Sequence, residues 1–281
     1  MAELLVVGAL HWDVVVRAQR LPRRDETLRG QAVDYRFGGK GGNQALAAAG
    51  AGASVAFAGR IGADDPGRRM RAELVAAGVD VTGLQDGPGA SGMSVAITEE
   101  DGSYGAVIVS GENLCVDLEA IRVPEGCRMV LAQNEIAAEA LAALPSIARE
   151  AGAAFWLNAA PADGVRPELL GEAHGLIVNR LEAGDLLGRD GLSPKEMVGG
   201  LAAFAPRATI IVTLGAEGVA FADPNGEVRH VPAEKVEVRS THGAGDMFVG
   251  SLAAALLRGD GVRESVAFAQ RRAAELIASP R

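Results

Sequence analysis

Short aliphatic runs alternate with stretches of helical period along most of the chain. Leu4–Val7, Ser54–Ala58, Met129–Ala132, Ala154–Leu157, Gly175–Val178 and Thr209–Thr213 read as buried strands. Helical patterns fall at Asn43–Ala49, Pro66–Ala77, Ile136–Glu150, Leu181–Leu187 and Pro194–Phe204, with two more over Met247–Leu257 and Arg263–Ile277. Asp65-Pro66 reads as a helix start with Asp as the cap, and Ser193-Pro194 followed by Glu196 reads the same way. This alternation predicts a three-layer α/β domain: a mostly parallel sheet flanked by helices on both faces. No linker divides the 281 residues.

Two regions break the rhythm. Val14–Val16 with Leu28–Tyr35, and Ser94–Thr98 with Tyr104–Ser110, are extended pieces without an intervening helix. Glu99-Glu100-Asp101-Gly102-Ser103 would join the second pair as a hairpin turn. These segments, about 14–36 and 93–110, predict a small inserted antiparallel sheet serving as a lid or dimer surface. Edge strands of the main sheet are the alternative that the pattern leaves open.

Composition narrows the function. The chain is 48 % hydrophobic, 22 % charged and 4 % aromatic, with 37 glycines and a net charge of −9. That rules out a disordered tail and argues against a nucleic-acid groove. Cys115 and Cys127 make no disulfide framework, which fits a reducing compartment. The uncharged stretch Gly41–Gly59 carries Asn43, Gln44 and Ser54, so a helix followed by a strand fits it better than a membrane span. With no leader pattern at the N-terminus, a cytoplasmic protein is expected. The four histidines lack metal-ligand spacing, and no G-x-S-x-G elbow occurs.

The chemistry concentrates in glycine-rich turns. Ser240-Thr241-His242-Gly243-Ala244-Gly245-Asp246 feeds directly into an apolar helix. Free N–H groups at such a helix start, with the helix dipole behind them, suit a phosphate. An acid facing that site needs a task, and taking a proton from an attacking hydroxyl is one. The simpler role for Asp246 is a helix cap. Phe37-Gly38-Gly39-Lys40-Gly41-Gly42-Asn43 also opens a helix and offers Lys40 and Asn43 to a polyhydroxyl ligand, but matches neither a Walker A loop nor a dinucleotide fingerprint. Asp13, Glu135, Asn158, Asn179 with Glu182, and Thr213-Leu214-Gly215 with Gly218 follow successive strands, where the cleft of an open α/β sheet lies. Trp12 could wall a ligand, although a core tryptophan is commoner.

Taken together, Gly38-Gly39-Lys40-Gly41-Gly42-Asn43-Gln44-Ala45 and Thr241-His242-Gly243-Ala244-Gly245-Asp246 resemble the paired signatures of the ribokinase-like (phosphofructokinase-B) carbohydrate kinases. Asp25-Glu26-Thr27, Asn158-Ala159-Ala160-Pro161-Ala162, Asn179-x-x-Glu182 and Val212–Gly218 fall in the family's order. The resemblance implies a ribokinase-like fold with a β-lid that often makes a homodimer, and ATP-dependent phosphorylation of a hydroxymethyl group. Asp246 would be the base, with the N–H groups of Gly243, Ala244 and Gly245 as the anion hole. Asp13, Gly39, Lys40, Asn43 and Glu135 would hold the sugar, D-ribose being the leading candidate. Asn179, Thr213, Gly215, Gly218 and Gln270 would meet the nucleotide, and Glu182 would order Mg²⁺ through water. A kinase for another sugar or a nucleoside, or a homologue that only binds, are the alternatives. Ser240 stands where the family usually has Asp, and relatives usually continue beyond the last helix, so little activation by a monovalent cation is expected.

Overall fold

The computed structural model describes residues 1–99 and 104–279. The first strand, β1 (Leu4–Val7), is buried throughout, with Leu4 and Val6 on one face and Leu5 and Val7 on the other. Each pair belongs to a different hydrophobic core, one on either side of the sheet, as a strand period of two requires. The chain then leaves the sheet for β2 (His11–Arg17) and β3 (Ala32–Gly38), and returns through α1 (Lys40–Gly50) to β4 (Val55–Gly62), α2 (Asp65–Ala76) and β5 (Asp80–Gly87). A second excursion makes β6 (Met93–Thr98) and β7 (Tyr104–Val109). From there the alternation is regular: β8 (Met129–Gln133), α3 (Ala138–Glu150), β9 (Ala154–Asn158), α4 (Pro167–Glu172), β10 (Gly175–Asn179), α5 (Arg180–Leu187), α6 (Pro194–Phe204) and β11 (Thr209–Thr213). The antiparallel strands β12 (Val219–Ala222) and β13 (Arg229–Val231) follow, then α7 (Ala244–Arg258) and α8 (Val262–Ala278).

The main sheet has nine strands in the order β13-β12-β11-β10-β9-β8-β1-β4-β5. Its seven consecutive strands from β11 to β5 run parallel. Residues of α3 and α6 pack one face (Leu141, Leu144, Met197, Leu201), and residues of α1, α2, α7 and α8 the other (Ala45, Met70, Leu252, Val266). The three-layer expectation holds.

The remaining strands form a separate four-stranded sheet, β3-β2-β6-β7, not edges of the main one. Its core is the parallel pair β2–β6, with β3 and β7 added antiparallel outside. The turn expected over 99–103 falls on 100–103, outside the described residues. Alternation gives this sheet two unlike faces. Asp13, Val15, Ser94, Ala96 and Arg36 line a cavity, whereas Val14, Tyr35, Val95 and Val107 pair with one another on the opposite face. Tyr35 and Val107 are 62 % and 67 % exposed there.

Several helix starts differ from expectation: α7 begins at Ala244 rather than Met247 and α3 at Ala138 rather than Ile136, and two others have a visible cause. Asp64, not Asp65, caps α2, its carboxylate accepting the Gly67 N–H at 2.8 Å. The helix α1 begins at Lys40 rather than Asn43, so Gly41 and Gly42 lie inside it. Close packing explains them: a Cβ on Gly41 would stand 2.8 Å from the Gly8 backbone, and one on Gly42 would strike Leu10 and Phe37. No described helix is long and apolar enough to cross a membrane.

Candidate active site

Parallel strands present their last residues at one edge, and there the two glycine turns meet. A cavity of about 780 Å³ lies between the second sheet and the body. Asp13, Arg36 and Ser94 line it from the sheet, and Gly39, Lys40, Asn43, Glu135 and Asp246 from the body. A smaller cavity of about 170 Å³ is lined by Asn179, Glu182, Thr213 and Gly245. Lys40, Gly243 and Asp246 border both. Asp246 therefore stands at the junction of two compartments. A separate cavity of about 690 Å³, beside Asp163, Asp185 and Phe204, contains none of the expected residues.

Each polar group at the junction is held. The Asp13 carboxylate accepts the Ser94 hydroxyl at 2.5 Å. Gly39, at φ 85, brings the turn so close to Ala9 and His11 that a Cβ would lie 2.6 Å from the Ala9 carbonyl. The Lys40 N–H, one of the unpaired donors that open α1, donates to Glu135 Oε2 at 2.8 Å. Burial works against the Lys40 ammonium, but Glu135, Asp246 and Glu182 outweigh it and raise its pKa.

Asp246 is not a cap. The N-cap of α7 is Gly243 at φ 74, and Asp246 lies in the first turn. Its Oδ2 accepts from Asn43 Nδ2 and its Oδ1 from Gln44 Nε2, each at 3.0 Å. Burial raises its pKa against the pull of Gln44, Lys40 and Asn43. The expected anion hole needs one correction, since the Ala244 N–H donates to the Thr241 carbonyl at 3.2 Å. Gly243 lines both cavities and Gly245 the smaller one, while Ala244 lines neither. The loop entering this turn is moored at a distance, with the Arg239 and Ser240 N–H groups donating to the Ile277 carbonyl of α8 at 2.9 and 3.4 Å.

On the far side, Asn179 and Glu182 form a capping box for α5. Asn179 Oδ1 accepts the Glu182 N–H at 2.9 Å, and Glu182 Oε2 accepts the Asn179 N–H at 2.7 Å. The box uses one oxygen of each side chain, so Glu182 keeps a second carboxylate oxygen. Burial pushes its carboxyl up. Gly215, Gly218 and Gln270 line neither cavity. Gly218, at φ 103, and Gln270 instead meet the same segment: a Cβ on Gly218 would strike the Val231 carbonyl, and Gln270 Nε2 donates to the Pro232 carbonyl at 3.5 Å. Gln270 Oε1 is buried without a partner among the described residues.

Several residues at this site escaped sequence reasoning. Arg36, Ser94 and His11 line the larger cavity, and the His11 Nε2 is buried without a partner among the described residues. Behind Asp246 lies a buried set of side-chain amides: Gln133 Nε2 donates to Gln44 Oε1 at 2.7 Å, and Gln44 Nε2 also donates to Asn158 Oδ1 at 2.9 Å. Sequence places Asn158 after its strand and in the family's order, but does not show this bond. Trp12 lines neither cavity; it packs on the core, with the Arg69 guanidinium 5.9 Å from its ring centre. Among the described residues, no three His, Cys, Asp or Glu side chains cluster to hold a metal ion.

Known proteins are similar to this chain in sequence and in fold. Ribokinases of Schizosaccharomyces pombe and Haemophilus influenzae are 31 % and 32 % identical to this chain, each alignment covering 96 % of it and 90 % of the relative. The solved Arabidopsis thaliana ribokinase, complexed with ribose and ATP, superposes with a TM-score of 0.90 at 26 % identity, covering 100 % of this chain and 94 % of that one. Ribokinase from Cryptococcus neoformans, in complex with ADP, gives 0.84 at 27 % identity, with 100 % and 95 % covered. The model of the pfkB carbohydrate kinase family matches residues 1–280. With that match and these relatives, the chain belongs to the pfkB family of carbohydrate kinases and is a kinase.

Proposed function

We propose that this kinase transfers the γ-phosphate of ATP to the hydroxymethyl group of a small sugar, D-ribose first among them. The observation that carries this reading is the position of Asp246, a buried carboxylate at the junction of two cavities. The larger cavity, with Asp13, Lys40, Asn43 and Glu135, suits several hydroxyls. The smaller one, with the start of α7, suits phosphoryl oxygens. The acceptor oxygen bonds to phosphorus, its proton passes to Asp246, and the bond to the bridging oxygen breaks to release ADP. Burial that raises the Asp246 pKa makes it a stronger base. Lys40 and the N–H groups of Gly243 and Gly245 face the charge on the transferring group. The ribose and ATP bound by the Arabidopsis ribokinase support the assignment of both ligands.

The nucleotide base would lie toward Gly215, Gly218 and Gln270, where the unpartnered Gln270 Oε1 can accept from an exocyclic amine. Mg²⁺ fits the donor set only as an ion carried by phosphate oxygens and water, with Glu182 the carboxylate in the smaller cavity besides Asp246. Bound so, it neutralises charge on the phosphates. Ser240 supplies a hydroxyl where a monovalent cation would need a carboxylate, so cation activation is weak. The apolar outer face of the second sheet serves as a homodimer surface. ADP release from the purified protein, measured over pentoses, hexoses and nucleosides with ATP, tests the reading. Turnover with D-ribose at least tenfold above the others supports it, and turnover only with a nucleoside reassigns the larger cavity.

A further inference from the structure

The buried amides behind Asp246 have a direction. An ionised carboxylate only accepts hydrogen bonds, so Gln44 must turn its NH₂ toward Asp246 Oδ1. The second hydrogen of that NH₂ goes to Asn158 Oδ1, because the Asn158 NH₂ is committed to the Ile177 carbonyl at 3.0 Å. Gln44 Oε1 must then accept, and it does so from Gln133 at 2.7 Å. Gln133 Oε1 is left buried without a partner among the described residues, turned against Gly8, where a Cβ would lie 2.1 Å from it. One fixed backbone acceptor and one carboxylate thus set the orientation of every amide between them.

Gln44 and Gln133 have no exposed surface and line neither cavity. They cannot touch a ligand. Whatever they do for the reaction, they do through Asp246. We propose that Gln133 and Gln44 are positioning residues: a one-way chain of amide hydrogen bonds that aims the Asp246 carboxylate and keeps it charged. A protonated Asp246 would turn a hydroxyl toward a chain that presents only donors. Reversing the chain would set the Gln44 carbonyl against the Oδ1 of Asn158, whose own NH₂ is held by Ile177. Gln44 is also the strongest of the interactions opposing the effect of burial on this carboxyl.

The inference rests on the reading of Asp246 as the base, and two measurements separate them. Gln44→Met removes the donor at similar volume, and Gln133→Met removes only the supporting link. The first measurement is the pH dependence of kcat. In Gln44→Met the acid limb moves to higher pH, and kcat on that limb falls roughly ten- to a hundredfold, the worth of one hydrogen bond to a charged group. Activity recovers at higher pH, and both KM values stay within about twofold. Gln133→Met moves the limb the same way by less, and it decides the matter if Gln44→Met does not fold. The second measurement is ¹³C NMR titration of the Asp246 carboxyl, assigned by its absence in Asp246→Asn, which needs no substrate. A carboxyl that titrates at the same pH in wild type and in the folded variants overturns the relay. So does a loss of kcat uniform across pH. If the titration moves but wild type phosphorylates no sugar, the relay stands and the sugar-kinase reading falls.

Discussion

Glu135 holds Lys40 at both ends: its Oε2 accepts the Lys40 backbone N–H at 2.8 Å, and its Oε1 lies 3.6 Å from the ammonium. One carboxylate, from the residues after β8, thereby fixes the start of α1 and the cation that faces Asp246. Glu135→Gln retains an oxygen for the N–H but loses the charge. The acceptor KM should rise about tenfold, the value of one charge-assisted contact in a half-buried site, with the nucleotide KM nearly unchanged. Initial-rate kinetics with each substrate varied will check this; an equal rise in both constants would put Glu135 on the wrong side of the junction.

Asp246→Asn should bind both substrates nearly as well as wild type by calorimetry, yet lose roughly 10²–10⁴ in kcat. The wild-type profile has a matching sign. Burial raises the Asp246 pKa, and the base must be ionised to work, so kcat should fall as pH drops through a value above the ordinary carboxylate range. A mutant with most of its turnover would return Asp246 to a structural role.

Gly38 lies behind Asp13. A Cβ there would stand 2.1 Å from Asp13 Oδ2, so Gly38→Ala must swing the carboxylate away from Ser94. We expect the acceptor KM to rise about tenfold through that displaced hydrogen bond, with thermal stability lowered only slightly. An unchanged acceptor KM would place the ligand away from Asp13.

The outer face of the second sheet presents Val33, Tyr35, Val95, Val107 and Val109 to solvent. Apolar patches of this kind are what protein contacts cover. Light scattering at micromolar concentration should give the dimer mass for wild type and the monomer mass for Val107→Glu. Identical masses for the two would remove the lid as the interface.

Turnover in K⁺ and in Na⁺ at fixed ionic strength should agree within about twofold, because the Ser240 hydroxyl attracts a hard cation far less than a carboxylate does. A tenfold preference for K⁺, about 1.4 kcal/mol of barrier, would mean that other oxygens make up the difference.

Much of the fold was legible because strand and helix periods are local. The strands Leu4–Val7 and Thr209–Thr213 and the helix Pro194–Phe204 stand where the pattern put them, while the piece expected over Leu28–Tyr35 lies at Ala32–Gly38. β5 was not visible: its Asp80, Thr82 and Gln85 lie on an edge strand with one side to solvent, so no aliphatic run marks it. The start of α1 was misplaced because two glycines oppose a helix until Gly8, Leu10 and Phe37 leave room for nothing larger. At the site, turns next to helices were readable. The amide chain was not, since Gln44 and Gln133 are separated by 89 positions and only the packed fold joins them.

The mooring of the 239–246 loop has an electrical consequence. Its entry is bonded to the carbonyl of Ile277 in the last turn of α8, and its exit is the first turn of α7. Helix ends carry about half an elementary charge of opposite sign, so within a few residues the chain runs from a negative pole to a positive one. The field along the loop points from Gly245 back toward Ser240. A ligand spanning that distance has one favoured direction, with its anionic end beside Gly245 and its neutral end beside Ser240, before any side chain has touched it.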